Sequence, residues 1–244
     1  MLPNREFVML CARTARSSAY VQALAVAGIV PAAVIIYGQK SSKIHTRRQL
    51  DSRIFNCSIW LPDLSLELES TLTRLGWSYL CCDEIELGSE SLHSILHAQT
   101  MDLLVYSGYG GQIVPASILN LTKVLHIHSG WLPDYRGSTT LYYQMLDQQH
   151  CAASAIYLDE NIDTGPILLR KTYPLPPKYI DIDYLYDNAI RADLLVDYMR
   201  SWITGNNEYS SESQVESTQS YYIIHPLLKH IALSLCDKEG NKYE

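Results

Sequence analysis

Residues 7–37 read Phe-Val-Met-Leu-Cys-Ala-Arg-Thr-Ala-Arg-Ser-Ser-Ala-Tyr-Val-Gln-Ala-Leu-Ala-Val-Ala-Gly-Ile-Val-Pro-Ala-Ala-Val-Ile-Ile-Tyr. The apolar run at 7–12 is short enough for a buried strand, and a helix follows through Val21, Leu24, Ala25 and Ala27, with Ser17 or Ser18 as its cap. Gly28 to Pro31 turns the chain into a second apolar run at 32–37. Strand, helix and strand in this order predict a βαβ unit, and with it a doubly wound α/β sheet. The turn Arg13-Thr14-Ala15-Arg16-Ser17 has no glycine fingerprint, so a dinucleotide site of the usual kind is not expected. Arg13 and Arg16 precede a helix N-terminus, where an anionic group of a substrate could be received. A solvated turn fits the same residues.

Outward from this unit the alternation of helix and strand continues. Residues 41–56 are polar and basic without a period and read as a surface excursion. Apolar positions at 64, 68, 72 and 75 predict a helix, 77–82 a strand, 89–98 a helix and 101–106 a strand. His93 and His97 lie four apart on the second of these helices, a spacing that can bind metal but equally suits an ordinary helix face. Ser107-Gly-Tyr-Gly-Gly-Gln-Ile-Val-Pro115 then lets backbone come close to a ligand, and Pro115 can start the next helix.

The stretch Val-Leu-His-Ile-His-Ser-Gly-Trp-Leu-Pro-Asp-Tyr-Arg-Gly at 124–137 holds the main chemical signal. Side chains alternate along a strand, so His126 and His128 share a face with Cα atoms roughly 6 to 7 Å apart. Carboxyl ends of strands in open α/β sheets form the usual ligand crevice. A helix capped by Ser138 or Thr139 and strands at 152–158 and 167–173 follow, with Asp163 in the loop between the two strands. A long helix is predicted at 181–202. Residues 206–220 form a polar, serine-rich loop or linker, and 221–235 a strand followed by a helix that packs on the domain. The organisation expected is a domain at 1–205, the linker at 206–220 and a C-terminal segment at 221–244.

The chain has 244 residues, 47% hydrophobic and 18% charged, which excludes disorder as its main state. A net charge of -7 argues against a nucleic-acid partner, although residues 40–48 are locally basic. The longest apolar stretch, 23–37, is too short to cross a bilayer and contains Gly28 and Pro31. No basic n-region with an h-region opens the chain, so no secretion signal is inferred. Six cysteines, Cys81 and Cys82 among them, lack paired metal spacing and framework density, and a reducing cytoplasm is expected. Eighteen tyrosines against two phenylalanines suit a polar aromatic cleft or interface, or plain core filling.

His128, Leu132, Pro133, Tyr135, Arg136, Gly137, Asp163, Thr164 and Gly165 stand in the order and approximate spacing of a known set. The chain resembles the folate-dependent formyltransferases, whose strand ends Asn-x-His before a Leu-Pro-x-Tyr-Arg-Gly loop and a later Asp-x-Gly loop. Gly111 to Pro115 are similar to the family's glycine turn. The resemblance implies a Rossmann-like, mostly parallel twisted sheet with flanking helices. It also implies transfer of a formyl group from N10-formyl-tetrahydrofolate to a primary amine.

On that resemblance the three polar residues fall on His126, His128 and Asp163, with histidine at 126 in place of the family's asparagine. The pterin would pack on Gly111, Gln112, Ile113 and Val114 and on Leu158, Asp159, Glu160, Asn161 and Ile162. His128 is expected to handle a proton, Asp163 to orient it and His126 to donate to an oxyanion. About forty residues after Asn206 are too few for the RNA-gripping barrel of the initiator-tRNA enzymes. A small-molecule amine is therefore expected, an amino sugar on a nucleotide carrier first, with Arg13 and Arg16 toward its phosphates and a homodimer allowed.

Two other readings stay open. His126, His128 and Asp163 also make a two-histidine, one-carboxylate set suited to a metal-dependent enzyme. The missing asparagine also leaves room for a non-catalytic module that binds folate or another small molecule.

Overall fold

A computed structural model describes residues 5–40, 58–205, 211–214 and 220–236. Strands β1 (Phe7–Ala12), β2 (Ala33–Tyr37), β3 (Tyr79–Cys82), β4 (Leu103–Ser107), β5 (Lys123–Ser129), β6 (Cys151–Tyr157) and β7 (Ile167–Tyr173) form one seven-stranded sheet in the order β3-β2-β1-β4-β5-β6-β7. The five strands from β3 to β5 pair in parallel, and β6 and β7 are antiparallel. The mostly parallel α/β sheet read from the sequence is therefore what the chain builds. The basic stretch at 41–56 lies outside the described residues.

Alternation along the strands assigns the two faces. Phe7, Met9, Cys11, Val34, Ile36, Val105, Leu125 and Ile127 pack with helices α1 (Ala15–Val26) and α6 (Asp187–Thr204). Val8, Leu10, Ile35, Leu104, Tyr106 and Val124 pack on the opposite face with α3 (Glu90–His97) and α4 (Ala116–Leu119). Both faces are covered, so the central strands are apolar on both sides, as parallel strands must be. Each fully buried large aliphatic side chain contributes about 1.5–3 kcal/mol, which makes these two clusters the main stabilising term.

Several local expectations change. Helix α1 is capped by Thr14, whose hydroxyl accepts from the Ser17 N–H, and Ser17 turns inward to bond Ser107 across the sheet. Helix α2 (Leu68–Leu75) starts later than the spacing from Leu64 suggests, after the Asp63 side chain has captured Ser65. The helix expected at 181–202 opens as a π-helical turn, Ile182–Tyr186, in which Asp181 caps the Tyr184 N–H and Asn188 bonds the Tyr184 carbonyl. Residues 221–225 form no strand but a single bridge from Tyr221 to Gly137, ahead of helix α7 (Pro226–Leu235). Among the described residues no helix is long and apolar enough to cross a membrane.

The layout leaves one face of β5 open. The connection from β4 to β5 spends most of its length on the glycine turn and has only four helical residues, so α4 covers the strand's beginning and not its end. His126 and His128 lie on that side, at the carboxyl end of the last parallel strand, where loops rather than a helix enclose His128.

Candidate active site

His126 and His128 project from β5 beside Asp163, and the three side chains place ligating atoms within 4.8 Å of one another. Residues 37 positions apart thus meet as strand alternation and the Asp163 loop bring them to one point. His128 is buried at 4% exposure, and its Nε2 lies 2.7 Å from the Tyr135 carbonyl. That oxygen can only accept, so Nε2 carries a proton. Its Nδ1 faces Asp163 Oδ2 at 3.3 Å. Asp163 has φ 54°, a left-handed conformation that aspartate tolerates better than most residues, and its Oδ2 accepts from the Gly137 N–H at 3.2 Å.

The charges are uneven. Burial disfavours the Asp163 carboxylate, but His128 outweighs it through charge and hydrogen bond, with His126 and the Gly137 N–H adding, so its pKa lies well below the ordinary carboxylate value. His126 moves the other way. Burial and the nearby Arg16 charge, with smaller contributions from Arg191 and His128, lower its pKa to about 3 against the pull of Asp163. His126 is thus a neutral imidazole at physiological pH, and its Nδ1 is buried without a hydrogen-bond partner.

Beside this cluster lies a shallow cleft with a cavity volume of about 80 Å³, lined by Tyr106, Gln112, Ile113, Val114, His126, Leu158, Asp159, Asn161, Ile162 and Asp163. Nine of the residues expected at the site therefore share one wall or another, while Gly111 and Glu160 flank the cleft and His128 stands behind Asp163. Ile113 and Ile162 are 62% and 58% exposed, an apolar pair on the two loops that border the opening. The Gln112 amide is spent on structure: its Oε1 accepts from Tyr37 Oη at 2.6 Å and its Nε2 donates to the Ile85 carbonyl at 3.0 Å. Asp159 closes its own loop by accepting from Asn161 N and Thr164 Oγ1.

Arg13 and Arg16 are held by the protein. Arg13 donates to the Gly38 carbonyl and pairs with Glu69, and Arg16 bonds the Gly108 carbonyl while its buried Nε has no partner. An anionic ligand at Arg13 would have to compete with Glu69.

The residues that hold the site include some the sequence reading passed over. Ser154, opposite His128 on β6, bonds the Leu132 N–H and the Gly130 carbonyl and so pins the loop after β5. Gln214, within the stretch expected as a linker, donates to the carbonyls of Asp163 and Gly165 and accepts from Arg136. Tyr221 bonds Arg136 and Ser138 through its backbone, and Thr139 Oγ1 accepts from the Ile224 N–H instead of capping α5 (Thr140–Gln148). The chain after α6 therefore clamps both loops of the site. Serine-rich composition gave no sign of this, because the contacts reach back 51 and 78 residues.

Gly137 is where the clamp needs a particular residue. Its φ of 108° is unfavourable for any side chain, and a Cβ would run into the Tyr221 carbonyl. Gly137→Ala is expected to cost about 1–3 kcal/mol. At roughly 2–4 °C per kcal/mol for a chain of this size, a thermal melt should show the loss plainly.

An open, mostly parallel α/β sheet places the chain in the doubly wound class, and the cluster and cleft lie where that class keeps its ligand crevice, at the carboxyl end of a parallel strand. The family model described as formyl transferase matches residues 18–190, and the chain belongs to that family. The methionyl-tRNA formyltransferase of Syntrophus aciditrophicus is 30% identical over 140 residues, covering 55% of this chain and 43% of that protein. That of Nitratiruptor sp. is 36% identical over 83 residues, 34% of this chain and 27% of its own length. The chain spans less than half the length of these curated relatives. A sugar N-formyltransferase from a Shewanella species shares the fold at a TM-score of 0.56 and 17% identity, covering 95% of this chain and 87% of its own. Glycinamide ribonucleotide transformylase 1 from Symbiobacterium toebii does so at 0.57 and 18%, covering 91% and 94%.

Proposed function

We propose that the chain transfers a formyl group from N10-formyl-tetrahydrofolate to a primary amine of a small molecule. The observation that carries this reading is the meeting of His126 and Asp163 on the wall of a cleft bordered by 112–114 and 158–162. The lining of the cleft offers a folate ring both apolar and polar contacts. Two exposed isoleucines border its opening, Asn161 and Asp159 supply polar edges, and His126 lines it, its Nδ1 buried without a partner. When bound, the donor would supply the activated formyl carbon and the nitrogen that leaves.

Each group of the chain then has a task. His126, kept neutral, can donate one ring N–H where negative charge develops on the formyl oxygen, which stabilises it without prior reorganisation. Asp163 and His128 act as a proton-handling pair, with Asp163 lining the cleft and His128 fixed behind it by Tyr135. The Gly137 N–H and Gln214 keep Asp163 in its left-handed conformation. For the acceptor we favour an amino sugar on a nucleotide carrier, supported by fold neighbours that include a sugar N-formyltransferase.

Incubating the chain with N10-formyl-tetrahydrofolate and a panel of nucleotide-linked amino sugars, glycinamide ribonucleotide and charged initiator tRNA tests this. Amine-dependent release of tetrahydrofolate with the sugars alone is expected. Release with tRNA alone would reject the small-molecule acceptor, and no release with any amine would reject transferase activity on these acceptors.

A further inference from the structure

The same three side chains offer a metal-type set of ligands, and one edge of it already has metal-site spacing. Charge-assisted N–H···O bonds run at roughly 2.7–2.9 Å. The His128 Nδ1 to Asp163 Oδ2 separation is 3.3 Å. Ligands at about 2.0–2.2 Å from a tetrahedral zinc ion stand roughly 3.3–3.6 Å apart, so this edge already has the metal-site length. His128 also donates Nε2–H to a backbone carbonyl at 2.7 Å, the outer hydrogen bond that fixes a ligating imidazole and turns its other nitrogen toward the ion. The Gly137 N–H holds the facing carboxylate oxygen in place. His126 lies within 4.8 Å, wider than that edge, so its ring would draw inward on binding, and its buried Nδ1 has no protein partner to give up.

We infer that His126, His128 and Asp163 bind one divalent ion of the zinc class, leaving a fourth position open. Two nitrogens and one carboxylate favour Zn²⁺ or Co²⁺ over the oxygen-seeking Mg²⁺ and Ca²⁺. Because His126 and Asp163 line the cleft, the open position faces it. Arg16 and Arg191 oppose an added cation and Asp163 offsets them. An ion on His128 Nδ1 displaces the proton that this nitrogen would handle. Occupancy by metal and formyl transfer therefore exclude each other, although the metal site stands on the side chains alone and survives failure of the transferase reading.

Calorimetric titration of the chelator-stripped full chain with Zn²⁺ tests the inference. The wild type is expected to show one saturable site, weakened at least about tenfold in His126→Asn, which keeps an amide donor but loses the ring nitrogen. His93→Ala with His97→Ala removes the helix pair whose rings lie 4.6 Å apart and is expected to leave that site unchanged. Co²⁺ added to the wild type gives a readout free of any variant: a visible absorption band of a low-coordinate site, abolished by one equivalent of Zn²⁺. No saturable binding, no such band, or a site lost with His93 and His97 but kept in His126→Asn would overturn the assignment.

Discussion

His128→Ala is expected to slow formyl transfer by about 10²–10⁴-fold, the range lost when a positioned proton-transfer group is removed. The side chain is 4% exposed and ties the strand end to the Tyr135 carbonyl, so the variant also loses a buried hydrogen bond. That bond is worth about 0.5–1.5 kcal/mol, too little to unfold a domain with two packed sheet faces. Single-turnover rates measured on protein with an intact melting transition separate chemistry from folding. A variant that transfers formyl at the parent rate would remove His128 from the proposed mechanism.

Asp163→Asn is expected to cost at least about 10²-fold in kcat and also to lower stability, because it breaks the buried pair with His128. Asparagine accepts φ near 54° as well as aspartate does, and its side-chain oxygen can still receive the Gly137 N–H. What it lacks is the negative charge that faces His128 Nδ1 and orients the ring. The two residues act as one unit, so the double variant His128→Ala, Asp163→Asn should be no slower than the worse single one. Multiplied losses in the double variant would show that they act independently.

These expectations come from features that the sequence displays unequally. The βαβ opening was legible because Val8 and Leu10 alternate with Met9 and Cys11 onto two buried faces, leaving the strand apolar throughout. His126 and His128 could be placed on one face by the same period of two, with Leu125 and Ile127 pointing to the other. That loops and not a helix meet them at the strand end depends on α4 being only four residues long, which a proline start signal at 115 does not reveal.

Long-range contacts were the harder part. Thr139 looked like a helix cap, but its φ of 51° and its bond to Ile224 N make it an anchor for the C-terminal segment. Gln214 sits in a stretch whose composition says linker, yet its amide joins the Arg136 loop to the Asp163 loop. A single polar residue carries no periodic signal, so only the fold exposes such a role. Arg16, which the sequence offers equally as an anion site or a solvated turn, bonds the Gly108 carbonyl with its Nε buried and lies near His126, where its charge lowers the histidine's proton affinity.

The central claim is that the cleft beside His126 and Asp163 receives a formyl-folate. Calorimetric titration of the metal-free chain with 5-formyl-tetrahydrofolate, a stable relative of the donor, tests it most directly. One saturable site is predicted, lost when Ile113 and Ile162 at the cleft's opening are both replaced by aspartate. Absence of binding to folded wild-type protein, or binding untouched by those replacements, would contradict it.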